Sequence, residues 1–263
     1  MDLQLEGKRA FISGSTQGIG YAVAATLASE GTHVVLNGRN SQRLVEAVTR
    51  LREDCPGAHV SGITADLSEP EQVSELLEQL GEVDILINNV GVFGLADFTT
   101  LSDAQWQQYV DINLMSGVRL SRQLLPGMVT RGWGRIIFIS SESGVNIPAD
   151  MIHYGTTKSA MLALGNGLAK LTRGTEVTVN TVLGGPTYSE GVASAVSALA
   201  MAQQVPAEEI KQSVIAQNTT TLLERFIEPR EIADLVAFTC SPRASATNGA
   251  TLRADGGTLT SIL

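Results

Sequence analysis

The sequence predicts an α/β fold: a doubly wound parallel β-sheet of about seven strands with helices on both faces, a three-layer αβα sandwich. Short apolar runs alternate with stretches whose apolar residues recur at helical spacing, from Arg9–Ser13 to Ala250–Ala254. That alternation is what parallel strands joined by crossover helices produce. The run Val83–Ile87 is nearly continuously apolar, as a strand covered on both faces must be. A third observation is the direct passage from strand to glycine-rich turn to helix near the N-terminus.

That first passage is Arg9–Ser13, then Gly14-Ser-Thr-Gln-Gly18-Ile-Gly20, then a helical pattern through Glu30. Glycines let the backbone approach a diphosphate, and the helix N-terminus offers unpaired N–H groups and the positive end of its dipole. The spacing is G-x-x-x-G-x-G rather than the commonest dinucleotide fingerprint, G-x-G-x-x-G. His33–Asn37 is the second strand, followed by Gly38, Arg39 and Asn40. An acid at this strand end suits the ribose of NAD, whereas an arginine accommodates the extra phosphate of NADP. There is no acid, and Arg39 is available.

Ser41 is expected to cap the next helix, with Leu44, Val45, Val48 and Leu51 at helical spacing. Val60–Thr64 is the third strand and ends at Ala65-Asp66-Leu67; Pro70 opens another helix with acids in its first turn. Val83–Ile87 runs into Asn88-Asn89-Val90-Gly91. Paired asparagines at a strand end can lock neighbouring strands, and the glycine leaves room for a ring. Asp103–Leu125 has helical periodicity through Trp106, Tyr109, Val110, Ile112 and Leu114, with Asn113 inside it. Asparagine is a mediocre helix former, and read alone Asn113 is a surface residue. Arg135–Ile139 and Val177–Leu183 are buried strands, Glu228-Pro229 starts the last helix, and Ala250–Ala254 precedes Asp255-Gly256-Gly257.

With 18 basic and 27 acidic residues the net charge is −9, which argues against a nucleic-acid partner, whose phosphates need a basic face. The two cysteines, Cys55 and Cys240, form no framework, and His33, His59 and His153 lack metal-ligand spacing. No apolar run approaches the length of a membrane span and no leader pattern is seen, so the expected location is the cytoplasm. No repeat or linker divides the 263 residues, so a single domain, 1–263, is expected.

Chemistry concentrates between Ser140 and Lys158, SSESGVNIPADMIHYGTTK. Tyr154 and Lys158 are four apart, hence on one helix face. A phenol with a pKa of about 10 is a poor proton source at neutral pH, and a nearby ammonium is expected to lower it. Ser141, where a strand should end, is placed to reach the same space.

In order and spacing these residues resemble the short-chain dehydrogenase/reductase family, including its 3-oxoacyl-[acyl-carrier-protein] reductase-like members, over nearly the whole chain. The matches are Gly14, Gly18, Gly20, Asp66, Asn88-Asn89-x-Gly91, Asn113, Ser141, Tyr154-x-x-x-Lys158 and Ala254-Asp255-Gly256-Gly257. The resemblance implies a Rossmann-like fold and an oxidoreductase interconverting a carbonyl and an alcohol, with NADP(H) favoured and NAD(H) as the alternative. Tyr154 would be the acid/base, Ser141 would bond the substrate oxygen, and Lys158 would hold the nicotinamide ribose. Asn113 would position a water in a relay to Lys158. The dinucleotide would lie along Gly14, Ser15, Thr16, Gln17, Gly18, Ile19 and Gly20, then Asn37 and Arg39. Asp66 and Leu67 would flank the adenine, Asn89 and Gly91 would line the cleft, and Gly185 and Thr187 would meet the nicotinamide end beside Tyr154 and Lys158. A homo-oligomer, tetramer or dimer, is implied as well. A cofactor-binding sensor without turnover is the competing class.

Two departures stand out. Val90 replaces the family's alanine, and Gly184-Gly185 stands where Pro-Gly is usual, which is expected to loosen that turn. From 188 to 225 the chain is expected to form a helical lid, mostly apolar, either closing over substrate or fixed on the core. The substrate stays open among an acyl thioester, a sugar, a steroid and a small ketone.

Overall fold

The computed structural model describes residues 1–262. Seven strands form one parallel sheet: β1 (Arg9–Ile12), β2 (His33–Gly38), β3 (Val60–Thr64), β4 (Ile85–Asn88), β5 (Trp133–Ser141), β6 (Glu176–Gly184) and β7 (Thr251–Ala254). Their order is β3-β2-β1-β4-β5-β6-β7. The chain reverses direction across the sheet between β1 and β4, so the strand C-termini diverge there and leave the crevice in which doubly wound sheets bind ligands.

The helices are α1 (Gly18–Ser29), α2 (Ser41–Asp54), α3 (Pro70–Leu80), α4 (Asp103–Val110), α5 (Ser116–Arg131), α6 (Ile152–Ala169), α7 (Glu190–Gln203), α8 (Ala207–Gln217) and α9 (Pro229–Cys240). Alternate strand residues feed two cores. Ile12, Ile87 and Ile137 join Leu27 of α1 and Val236 of α9 on one face. Phe11, Leu86 and Ile136 join Leu76 of α3, Leu120 of α5 and Met161 of α6 on the other. Truncating such a side chain, as in Leu27→Ala, typically costs about 2–5 kcal/mol.

Two local expectations are corrected. Asn40, not Ser41, caps α2: its side chain accepts the Arg43 N–H at 2.9 Å. The Asp103–Leu125 run is not one regular helix, because a π-helical turn, Asp111–Met115, separates α4 from α5. The segment 188–225 forms α7 and α8, which pack on each other through Val196, Ala200 and Ile210, a small core separate from the main two. No helix among the described residues is long and apolar enough to cross a membrane.

Candidate active site

The glycine turn between β1 and α1 borders a cleft of about 380 Å³ at the C-terminal edge of the sheet. Gly14 and Gly18 have φ of +60° and +62°, values L side chains rarely adopt. A Cβ on Gly20 would lie 2.5 Å from the Gly14 carbonyl oxygen, so close packing fixes that glycine. Asn89 anchors the turn from the neighbouring strand, its Nδ2 donating to the carbonyls of Ser13 at 3.0 Å and Gly14 at 2.9 Å. At the start of α1 the Gly18 N–H donates to Oε2 of Glu190, from α7, at 2.7 Å. A carboxylate therefore sits where the helix N-terminus favours an anion.

Gly14, Thr16, Gln17, Gly18, Ile19, Asn37, Arg39, Asp66, Leu67, Asn89 and Gly91 all line this cleft. Ser15 and Gly20 do not. Ser15 is buried beneath it, donating to the Ile12 carbonyl at 2.7 Å and accepting the Asn37 N–H at 3.0 Å. At the β2 end Arg39 is joined by Arg43, from the first turn of α2. Sequence reading missed Arg43; its position three residues after the capping Asn40 is the signal that places it over the same strand end. Asp66 Oδ1 accepts from the N–H of Ser68 at 3.0 Å and from its hydroxyl at 2.6 Å.

Further along the edge, β5 delivers Ser141 and α6 delivers Tyr154 and Lys158, with Asn113 behind them. The turn Glu142–Gly144 after Ser141 is clamped to α6: a Cβ on Gly144 would lie 2.9 Å from the Lys158 backbone, and Ser159 Oγ donates to the Gly144 carbonyl. Asn113 is buried, not at the surface. Its Oδ1 accepts the Val92 N–H at 2.8 Å, and its Nδ2 donates to the Val92 carbonyl and to Thr157 Oγ1, each at 3.0 Å. The π turn aims Asn113 inward, a common use of such turns. A Cβ on Gly91 would lie 3.4 Å from Lys158 Nζ and 3.6 Å from Asn113 Oδ1, so the glycine keeps that space open.

The electrostatics overturn one expectation. Tyr154 is not acidified: burial, with the nearby Glu142 adding to it, pushes its phenol up to about 12. Lys158 does not counter this, because its Nζ donates to the Ile139 carbonyl at 2.9 Å and lies 5.7 Å from the centre of the Tyr154 ring. Burial lowers Lys158 itself to about 8, with Glu142 pulling the other way. Glu142, which sequence reading did not single out, has its carboxyl raised by burial, opposed by hydrogen bonds from Ser141 and Ser143.

At the β6 end Gly185, the glycine that matches the family's Pro-Gly, is held by close packing. A Cβ there would lie 2.5 Å from the Asp255 carbonyl oxygen, and the Gly185 N–H donates to the Ala254 carbonyl at 3.2 Å. Thr187 is largely buried and donates to the Gly185 carbonyl at 2.8 Å. Neither residue lines the cleft that holds the glycine turn.

The family model for short chain dehydrogenases matches residues 8–223. An uncharacterized oxidoreductase of Bacillus subtilis, YvaG, is 40% identical over 263 residues, covering 100% of both chains. The 3-oxoacyl-[acyl-carrier-protein] reductase FabG of Aquifex aeolicus is 32% identical, covering 98% of this chain and 99% of its own. Among solved structures, L-sorbose reductase from Gluconobacter frateurii, crystallised with NADPH and L-sorbose, superimposes with a TM-score of 0.93 at 33% identity, covering 100% of both chains. A parallel sheet with its crevice at the β1/β4 reversal, a glycine turn beside it and full-length likeness to reductases agree on one conclusion: the chain belongs to the short-chain dehydrogenase/reductase family, oxidoreductases acting on carbonyl and alcohol groups.

Proposed function

We propose that the protein is an NADP(H)-dependent reductase of a small carbonyl substrate, able to oxidise the corresponding secondary alcohol in reverse. The observation that carries this reading is the convergence of Ser141, Tyr154 and Lys158 along the same sheet edge as a cleft with Arg39 and Arg43 at one end.

The residues present fit a dinucleotide phosphate. Glycines without Cβ atoms line its path, the Gly18 N–H already donates to a carboxylate, and no acid stands at the β2 end to repel a further phosphate. The G-x-x-x-G-x-G turn would hold the diphosphate, Arg39 and Arg43 the 2′-phosphate, and Asp66 and Leu67 the adenine side. Asn89 and Gly91 would line the middle, with Gly185 and Thr187 at the nicotinamide end. Likeness to a reductase crystallised with NADPH supports the same cofactor. When bound, the nicotinamide supplies or accepts the hydride.

The chain supplies orientation and a proton. Tyr154, a phenol that keeps its hydrogen at neutral pH, donates to the carbonyl oxygen as that oxygen gains charge. Ser141 hydrogen-bonds the same oxygen and fixes its position. Lys158 holds the nicotinamide ribose. Asn113 steadies Val92 and α6 behind it and orders the proton path to Lys158. The whole chain acts as one domain with α7 and α8 covering the substrate; assembly as a tetramer or dimer and a cytoplasmic location belong to the same reading.

The test is direct. Purified protein is expected to alter NADPH fluorescence on binding and to oxidise NADPH with at least one member of a broad carbonyl panel. Unchanged fluorescence together with no turnover overturns the proposal.

A further inference from the structure

Beside the groups just described lies a half-buried carboxylate that the proposed chemistry does not use. Glu142 follows Ser141 directly and opens the turn that is clamped to α6. Its Oε2 receives the Ser141 hydroxyl at 2.5 Å and its Oε1 the Ser143 hydroxyl at 3.1 Å. Tyr154 and Lys158 of α6 are the titratable groups near enough to feel its charge. A carboxylate held this close to two reacting groups is costly unless donors satisfy it, and here neutral O–H donors do so.

The consequence lies in counting hydrogens. A serine hydroxyl has one hydrogen to give, and Ser141 gives it to Glu142 while accepting the Ser143 N–H at 3.1 Å. To bond a carbonyl oxygen, Ser141 must take that hydrogen back, and Glu142 must then find another donor. A hydroxyl on the carbon next to the carbonyl meets this need. Its oxygen lies about 2.8 Å from the carbonyl oxygen, the spacing of an ordinary O–H···O hydrogen bond. Ser141 Oγ and Glu142 Oε2, which no longer share a hydrogen, then move apart, each bonded to one of the substrate's two oxygens.

We propose that Glu142 is a specificity-determining residue that selects α-hydroxy ketones, by accepting the substrate hydroxyl and releasing the Ser141 hydrogen to the carbonyl. The inference rests on the reductase reading above and adds the substrate class. A plain ketone leaves Ser141 bonded to Glu142 and loses half of its oxygen's support.

Acetoin and butan-2-one share one carbon skeleton and differ by the α-hydroxyl, so kcat/KM for the pair, measured with NADPH, reads the effect. Comparing variants cancels the hydroxyl's own activation of the carbonyl. The wild type is expected to favour acetoin, and Glu142→Leu to lose about tenfold to a hundredfold on acetoin, the range for a hydrogen bond to a charged group, while holding or gaining on butan-2-one. Glu142→Gln, nearly isosteric, is expected to fall between the two and guards against misfolding of the leucine variant. Inhibition gives an equilibrium readout: butane-2,3-diol should outcompete butan-2-ol in the wild type, lose that advantage in Glu142→Leu and keep part of it in Glu142→Gln. A parallel fall on both ketones, or a wild type without preference, overturns the selection role while leaving the reductase reading intact. No turnover of any carbonyl by the wild type overturns both.

Discussion

Replacing Lys158 by methionine keeps the length of the side chain and removes its charge, and pH sets how much that matters to stability. Folded Lys158 releases its proton near 8, whereas the ordinary value for an unfolded lysine is 10.5. Between those values the unfolded chain binds more protons than the folded one, so the parent's stability rises with pH. Below about 8 the buried ammonium exerts its full cost; above about 10.5 the cost is gone. A tenfold difference in proton affinity is worth about 1.4 kcal/mol. The parent should therefore gain about 2 kcal/mol on Lys158→Met between about pH 8 and 10. The lost hydrogen bond to the Ile139 carbonyl shifts the variant by a constant amount and cancels in the comparison. Urea unfolding of both proteins across that range gives the two free energies. Curves that run parallel with pH would refute the account of Lys158 as a buried amine whose charge the fold opposes.

Three further outcomes are expected. Arg39→Ala should weaken NADPH binding by about tenfold to a hundredfold, the value of a charged hydrogen bond, and leave NADH binding nearly unchanged; equal loss for both cofactors in fluorescence titration would remove Arg39 from the phosphate site. Glu190→Gln should tighten NADPH binding several-fold, because the carboxylate on the Gly18 N–H competes with the diphosphate; weaker binding would show that Glu190 supports the cofactor. In pH–rate profiles, reduction should be insensitive to Tyr154 below about pH 10 and decline as Lys158 deprotonates near 8. Oxidation, which needs the phenolate and the same Lys158 ammonium, should rise up to about pH 8 and level there, since the phenol is held near 12 and the amine near 8; a profile for oxidation already level below neutrality would contradict the raised phenol.

The fold was readable because parallel strands buried on both faces carry their own record: Val83–Ile87, Val177–Leu183 and the helical spacings between them have no solvent-facing alternative. The glycine turn and the Tyr154–Lys158 spacing were readable for the same reason, since chemistry and backbone geometry both restrict which residue types serve. What escaped the sequence depends on three-dimensional neighbours. The π turn at Asp111–Met115 shifts hydrogen bonds by one residue and leaves no trace in composition, so read alone Asn113 fell at the surface and only the family resemblance brought it to the site. The state of Tyr154 turns on how much of the ring is buried and on where the Lys158 amine points, toward Ile139 and not toward the phenol. The close contact of Gly185 with Asp255 is likewise invisible in the pair of glycines itself. Glu142 and Glu190 read as two acids among 27, and only packing brings one to Ser141 and the other to Gly18.

Substituting phenylalanine for Tyr154 removes one oxygen and leaves the ring in place, and the decisive measurement sets NADPH affinity beside the rate of carbonyl reduction for that variant. Binding kept within a few-fold, with turnover reduced by about two to four orders of magnitude, is the predicted result. Reduction that survives at the parental rate would mean that the proton comes from elsewhere.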